Sequence, residues 1–298
     1  MSRSRSSKQT IKKLKKLSPP KLLLVIVLAV LLTVFETRFM DSSGRTPSTL
    51  FGDTSVHFLN VGQGDASLFL SGDQAVLIDA SVSDASDTIL SYLEEIGVGK
   101  LDAVIATHPH ADHIGGMRRV IEAVPTDTVY MSNGPSTTQT YEKLLDEIDE
   151  QGIELIVPAV GDVLTLDSGA AFTFLSPDPA EEFDDLNNYS LVCMFEAGDT
   201  RVLMMGDAEA QIEEALLASG ADLDCDILKL GHHGSSSSST PAFLRAASPE
   251  TAIVSCAKEN DYGHPHREPL EALAALGVDD IRYTFEGTVV IEIPESEA

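Results

Sequence analysis

The segment from Leu101 to His113 constrains this chain most. An apolar stretch, Leu101 to Thr107, runs straight into His108-x-His110-x-Asp112-His113. Such a run reads as a buried strand, so four potential metal ligands stand within six residues at a strand end. Imidazole and carboxylate side chains suit zinc, manganese and iron. In an extended or turning backbone, His108 and His110 point the same way, towards one ion. Asp112 and His113 then face a second position. Gly115 and Gly116 let the chain turn tightly into the next helix. The alternative is a surface histidine cluster with no ligand role; the density of the motif and the strand before it weigh against that.

The same rhythm extends on both sides. Strands are expected at Val56–Val61, Ala66–Leu70 and Ala75–Ile78, with a helix from Thr88 to Ile96 stopped by Gly97. After the histidine cluster come a helix from Gly115 to Val124, a strand at Val129–Ser132 and a helix from Thr140 to Gln151 stopped by Gly152. The second half repeats this, with strands at Phe172–Leu175, Ser190–Glu196, Arg201–Met205, Cys225–Leu230 and Ala252–Ser255. Helices are expected at Ala208–Ser219, Thr240–Ala247 and Pro269–Leu276, and final strands at Asp280–Phe285 and Thr288–Ile293. Strands and helices mixed in two similar halves imply a layered α/β domain.

Charge divides the chain. Residues 1–40 hold nine basic side chains against Glu36 alone, which leaves 11 basic and 46 acidic residues in 41–298, a net of −35. Such a surface keeps the domain soluble and repels polyanions, which argues against a broad basic groove for duplex DNA. The basic segment 1–21 precedes an apolar run, read here as a signal-anchor over 22–40. Its core from Leu22 to Phe35 is short for a spanning helix and fits a signal peptide equally well. Positive charge before the run places the remainder outside the cytoplasm. We therefore expect a membrane-anchored, extracytoplasmic domain, the alternative being secretion after cleavage. Residues 41–51 read as a linker, and 52–296 as the folded domain. Cys193, Cys225 and Cys256 fit no metal ribbon or redox pair and read as buried thiols.

Thr107-His-Pro-His-Ala-Asp-His113 resembles the HxHxDH signature of the metallo-β-lactamase superfamily. The run from Val56 to Ile293 resembles more closely the hydrolase domain of the ComEC family of competence proteins. The matching segments are Phe58-Leu-Asn-Val-Gly-Gln-Gly-Asp65, Asn187-Asn-Tyr-Ser-Leu-Val192, Met205-Gly-Asp-Ala-Glu209, Lys229-Leu-Gly-His-His-Gly-Ser235 and Tyr262-Gly-His-Pro-His266. The resemblance implies an αββα sandwich with two divalent ions, zinc or manganese, in a groove at one edge. It implies that Asp79 braces the histidine loop, that Asp207 bridges both ions, and that one of His232 and His233 completes the second site. We assign His233 to the ion and His232 to the substrate, the reverse being the alternative. His264 is placed at the active-site rim, and His57 is read as a core histidine. Gly62 and Gly64 are read as a bend beside the active site, since no phosphate-loop lysine follows.

One departure from the superfamily matters. Most members carry a further histidine between the HxHxDH loop and the bridging aspartate, and none occurs here between His113 and Asp207. The first ion then has His108, His110 and Asp207, with water, Asn188 or Ser190 nearby. The expected activity is hydrolysis, with Asp112, His232 and His264 as catalytic groups. A phosphodiesterase acting on single-stranded nucleic acid or a small phosphodiester is the leading reading. A carboxylic ester or lactone hydrolase and a non-catalytic binding module of a DNA-uptake or surface complex are the alternatives.

Overall fold

The computed structural model describes residues 53–294. The basic segment, the expected signal-anchor and the linker lie outside the described residues. Among the described residues no helix is long and apolar enough to cross a membrane.

Two seven-stranded sheets face each other. In chain order the first holds β1 (Thr54–Phe58), β2 (Ser67–Ser71), β3 (Gln74–Ile78), β4 (Leu101–Ala106), β5 (Thr126–Met131) and β6 (Glu154–Ile156), and it is closed by the last strand, β14 (Val289–Ile293). The second holds β7 (Val163–Thr165), β8 (Ala171–Ser176), β9 (Val192–Ala197), β10 (Thr200–Met204), β11 (Ile227–Lys229), β12 (Thr251–Val254) and β13 (Asp280–Tyr283). Helices α1 (Ser86–Ile96), α2 (Ala111–Ile114), α3 (Met117–Ala123) and α4 (Gln139–Gln151) follow strands of the first sheet. Helices α5 (Ala210–Ser219), α6 (Pro241–Ala247) and α7 (Arg267–Leu276) follow strands of the second.

Alternation along the strands builds three apolar layers. Leu68, Leu70, Leu77 and Val104 face α1, α3 and α4, while Phe69, Val76, Ile78 and Ile105 face the opposite sheet. Likewise Cys193, Phe195 and Val202 point between the sheets, and Val192, Met194 and Leu203 point to α5, α6 and α7. A strand buried on both faces must be apolar throughout, which explains the continuous apolar runs of the sequence. The expected αββα sandwich is what forms. All three cysteines are free and buried. His57 is buried within β1, its ring nitrogens 2.8 Å from Ser55 Oγ and 2.7 Å from Tyr92 Oη.

Some boundaries differ from the sequence reading. Leu59 to Val61 leaves the sheet after β1; the helix expected over 115–124 is α3, and the short α2 before it, within the histidine cluster, was not expected. The edge strands β6 and β7 were not expected. Each has three residues and is largely exposed, so neither carries an apolar pattern.

Topology positions the site. In each sheet three antiparallel pairings give way to three parallel ones, at β3–β4 in the first and β10–β11 in the second. Asp79, His108, Asp207 and the His232-His233 pair all follow the carboxyl ends of these four strands. Open α/β sheets present their ligand crevices there.

Candidate metal centre

Asp79 leaves β3 in the left-handed region, at φ 59°. Its carboxylate accepts from Thr107 N at 2.9 Å, from Thr107 Oγ1 at 2.7 Å and from His113 Nδ1 at 2.6 Å. The last bond commits the Nδ1 proton of His113 and leaves Nε2 bare, the usual outer support of a metal-binding imidazole. His113 Nε2 lies 3.2 Å from Asp207 Oδ2.

Asp207 is the hub. Its Oδ2 lies 3.5 Å from His233 Nε2, 3.8 Å from His108 Nε2 and 3.9 Å from His232 Nε2. The backbone N–H of Asp207 donates to Ser190 Oγ at 2.9 Å, and Ser190 Oγ is also 3.3 Å from His108 Nδ1. Gly206, at φ 53°, lets the chain pass Ser190 and Thr107, which a Cβ would meet at 3.0 and 3.1 Å.

His232 and His233 are consecutive non-glycine residues at positive φ, 47° and 55°. Such conformations cost on the order of 1–3 kcal/mol each and persist only where the surroundings dictate them. Here His232 N donates to Gly206 O at 3.1 Å and Ser235 N to His232 O at 2.8 Å. The turn sends the two rings apart. His233 is buried, gives its Nδ1 proton to Ser255 O at 2.9 Å and aims Nε2 at Asp112 Oδ2, 3.4 Å away. His232 is partly exposed and rests Nδ1 against Ser237 Oγ at 3.0 Å and Glu209 Oε1 at 3.2 Å.

Asp112, His113, Asp207 and His233 each offer a ligand atom, and these atoms lie within 4.8 Å of one another. His113 Nε2, His233 Nε2 and Asp207 Oδ1 are buried and hydrogen-bonded to nothing. Native proteins seldom leave such atoms unsatisfied, and their convergence fits a bound cation. His108 Nε2 and His110 Nδ1 meet 3.1 Å apart beside this group.

The electrostatics agree. Burial alone would raise the Asp207 carboxyl, but His113, His233 and His108 hold it well below the ordinary range. Burial would lower His113 and His233, but Asp207 raises His113 well above its usual value and raises His233 to about 10. Protons here occupy places that a metal ion would take from them.

Above this group opens a cavity of about 320 Å³ lined by His110, Asp112, Asn187, His232, Tyr262 and His264, among others. His264 is buried, its Nδ1 is unpartnered and its ring stacks on exposed Tyr262 at 5.6 Å. Burial, then the neighbouring His233 and His232, push its pKa down to about 4. A larger hollow of about 420 Å³, beside α1, is lined by none of these residues.

Asn188 and Ser190, expected near the first ion, both make hydrogen bonds to the segment that carries Asp207. Asn188 does not face the cavity: its Oδ1 accepts from Glu209 N at 3.2 Å, and it is Asn187 that lines the opening. The Ser190 hydroxyl is committed to Asp207 N and so braces the centre. Sequence reasoning assigned no role to Asp65 and Lys229, which are buried and paired with each other, with Asp65 Oδ1 3.5 Å from His233 Nδ1. Gly64 does form the expected bend; a Cβ there would meet Asp112 O at 2.5 Å and Ser81 Oγ at 2.6 Å.

Fold and centre together define a two-sheet sandwich protein with a buried His/Asp metal-binding group. The chain belongs to the metallo-β-lactamase superfamily, whose profile matches residues 59–258. It is similar to ComE operon protein 3 of Bacillus subtilis (strain 168), with 30% identity over 262 residues, 80% of this chain and 33% of that protein. It is also similar to competence protein ComA of Neisseria gonorrhoeae, with 30% identity over 239 residues, 80% of this chain and 32% of that protein. The chain thus spans about a third of the length of these relatives. Among solved structures it shares its fold with CmlA, a diiron β-hydroxylase from Streptomyces venezuelae. That match has a TM-score of 0.56 and 13% identity, and covers 81% of this chain and 54% of that one.

Proposed function

We propose that this chain is a metal-dependent phosphodiesterase acting outside the cytoplasm on single-stranded nucleic acid or a small phosphodiester. The observation that carries the reading is the trio of buried, unsatisfied ligand atoms on His113, His233 and Asp207 beneath an open cavity. Asp112, His113, Asp207 and His233 would hold one ion, and His108, His110 and the shared Asp207 the other. Ions so held lower the pKa of water and neutralise charge building on a phosphoryl group.

The chain's own residues supply the rest. Asp112, at the cavity floor, orients the attacking water and carries its proton to the leaving oxygen. Its carboxyl, which burial would raise, is lowered to about 2 chiefly by His233, so it is ionised at neutral pH. His232 and His264 stand where they can hydrogen-bond phosphoryl oxygens. Tyr262, 64% exposed and stacked on His264, offers a face on which a base can stack. The acidic surface disfavours a long duplex and tolerates a single strand or a small diester better. The similarity to competence proteins supports a nucleic-acid substrate, and the basic and apolar N-terminal segments support an extracytoplasmic site.

The test is a substrate panel on the purified chain with added manganese or zinc: bis-nitrophenyl phosphate, single-stranded DNA, phosphorylcholine esters and lactones. Metal-dependent diester cleavage is expected. Lactone hydrolysis with no diester cleavage under any metal would overturn the reading in favour of a carboxylic ester hydrolase. C-terminal reporter fusions should behave as exported; a cytoplasmic signal would overturn the location.

A further inference from the structure

The chemistry above uses neither Asp65 nor Lys229, yet Asp65 lies against the centre and Lys229 against Asp65. Lys229 closes β11 and is 1% exposed; Asp65 lies in the loop between β1 and β2 and is 4% exposed. Lys229 Nζ stands 2.7 Å from Asp65 Oδ2 and donates to Leu230 O at 2.8 Å. Since β11 and the β1–β2 loop belong to different sheets, this ion pair bridges the sandwich.

Its attachments are specific. The backbone N–H of Asp65 donates to Asp112 O at 3.1 Å, and its carbonyl accepts from Ser81 N at 2.8 Å. The other carboxylate oxygen, Oδ1, lies 3.5 Å from His233 Nδ1. Asp65 therefore touches the backbone of one ligand-bearing loop and the ring of the other. Lys229 turns the carboxylate towards itself, which leaves the His233 Nδ1 proton to Ser255 O at 2.9 Å. A buried ion pair is weak evidence for stability, because apolar residues of similar volume often serve as well. Its placement between two ligand loops calls for another account.

We infer that Asp65 and Lys229 form a positioning latch that sets the spacing of Asp112 and His233 at the second ion position. The inference rests on the reading of Asp112, His113, Asp207 and His233 as ion ligands. It also runs against simple electrostatics. Removing the Lys229 charge leaves an extra buried negative charge near a cation site, and charge alone would tighten ion binding. A latch predicts weaker binding, because the ligands lose their spacing.

The experiment is calorimetric titration of the metal-free full chain with Mn²⁺, comparing the parent with Lys229→Met. Thermal unfolding of each metal-free protein establishes that it is folded. Lys229→Met is expected to weaken one of the two binding events about tenfold or more, the range seen when outer supports of metal ligands are lost, and to leave the other within twofold. Parental or tighter binding by Lys229→Met overturns the latch. If that variant does not fold, Asp65→Asn/Lys229→Met removes both charges at nearly constant shape; the same selective loss is expected, and parental affinity overturns the latch. The visible spectrum of the Co²⁺ form adds a reading of ligand geometry, expected to change in either variant and to be unchanged if the pair serves packing alone. A parent chain that binds no ion at all overturns the ligand reading itself, a distinct outcome.

Discussion

Asp79 and His113 are joined by a 2.6 Å hydrogen bond from Nδ1 to Oδ2, which turns the opposite face of the imidazole towards Asp207. The same carboxylate holds Thr107 through its N–H and its hydroxyl. Asp79→Ala would strand these buried donors, at a cost of about 3–5 kcal/mol for breaking such a network. The thermal midpoint of the metal-free domain should fall accordingly. Ion affinity should fall by about 10–100-fold. A variant with parental midpoint and parental ion content would contradict this assignment.

Asp207 Oδ2 lies within 3.9 Å of Nε2 on four histidines. Asp207→Ala should therefore lose more metal than any single histidine substitution, as read by elemental analysis after dialysis. Asp112, whose side chain is 30% exposed, is less embedded. Asp112→Ala should keep a near-parental fold yet lose turnover by roughly 100-fold or more, the range of a lost acid–base group. A fully active Asp207→Ala protein holding two ions would refute the arrangement.

The pH dependence of the metal-free domain has a definite sign. Burial alone would lower His233, but Asp207 and Asp65 raise it to about 10. The stability this contributes is complete below the unfolded value near 6.5 and disappears as pH rises towards 10. His57 acts oppositely: burial lowers it to about 4, so a penalty enters below pH 6.5 and grows towards pH 4. Melting curves of chelator-treated protein should thus show a maximum between these limbs. A midpoint that climbs steadily from pH 7 to 9.5 would be inconsistent with a buried imidazolium at His233.

Ion affinities should be unequal. On the proposed two-ion reading, the second position would draw on four protein ligands, Asp112, His113, Asp207 and His233. The first would have His108, His110 and the shared Asp207; Ser190 Oγ is engaged by Asp207 N, and Asn188 Oδ1 by Glu209 N. Solvent must complete that shell, and more oxygen with fewer nitrogen ligands shifts preference from zinc towards manganese. One ion should copurify while the other exchanges, with activity rising on added Mn²⁺. Two equally tight zinc ions in a calorimetric titration would mean that a further ligand exists.

Glu213 tests the serine loop. Its buried carboxylate accepts from Ser239 N and Thr240 N, fixing the loop that follows His233. Glu213→Ala leaves two amides unsatisfied and should cost about 3 kcal/mol, visible as a lowered thermal midpoint. An unchanged midpoint would show that solvent replaces the carboxylate.

The layers and the histidine loop could be read in the sequence because their signals are local. Strands buried on both faces demand continuous apolar runs, and His108, His110, Asp112 and His113 follow one such run within six residues. Asp79 and Asp207 were legible only through the family resemblance, since an aspartate after a strand is by itself an ordinary turn or cap residue. Contacts between distant segments were not. Asp65 and Lys229 carry no mark that they will meet, and only the stacking of one sheet on the other brings them to 2.7 Å. Nor could residue type separate Asn187 from Asn188. They are neighbours in a 3-10 turn, where each residue rotates about 120° from the last, so the turn's orientation sends one amide to the cavity and the other to α5. The sequence by itself determined which strands would be buried and which side chains could bind a cation. The tertiary structure decided which of those side chains converge, because convergence depends on how two sheets and their loops pack, and no local pattern encodes that distance.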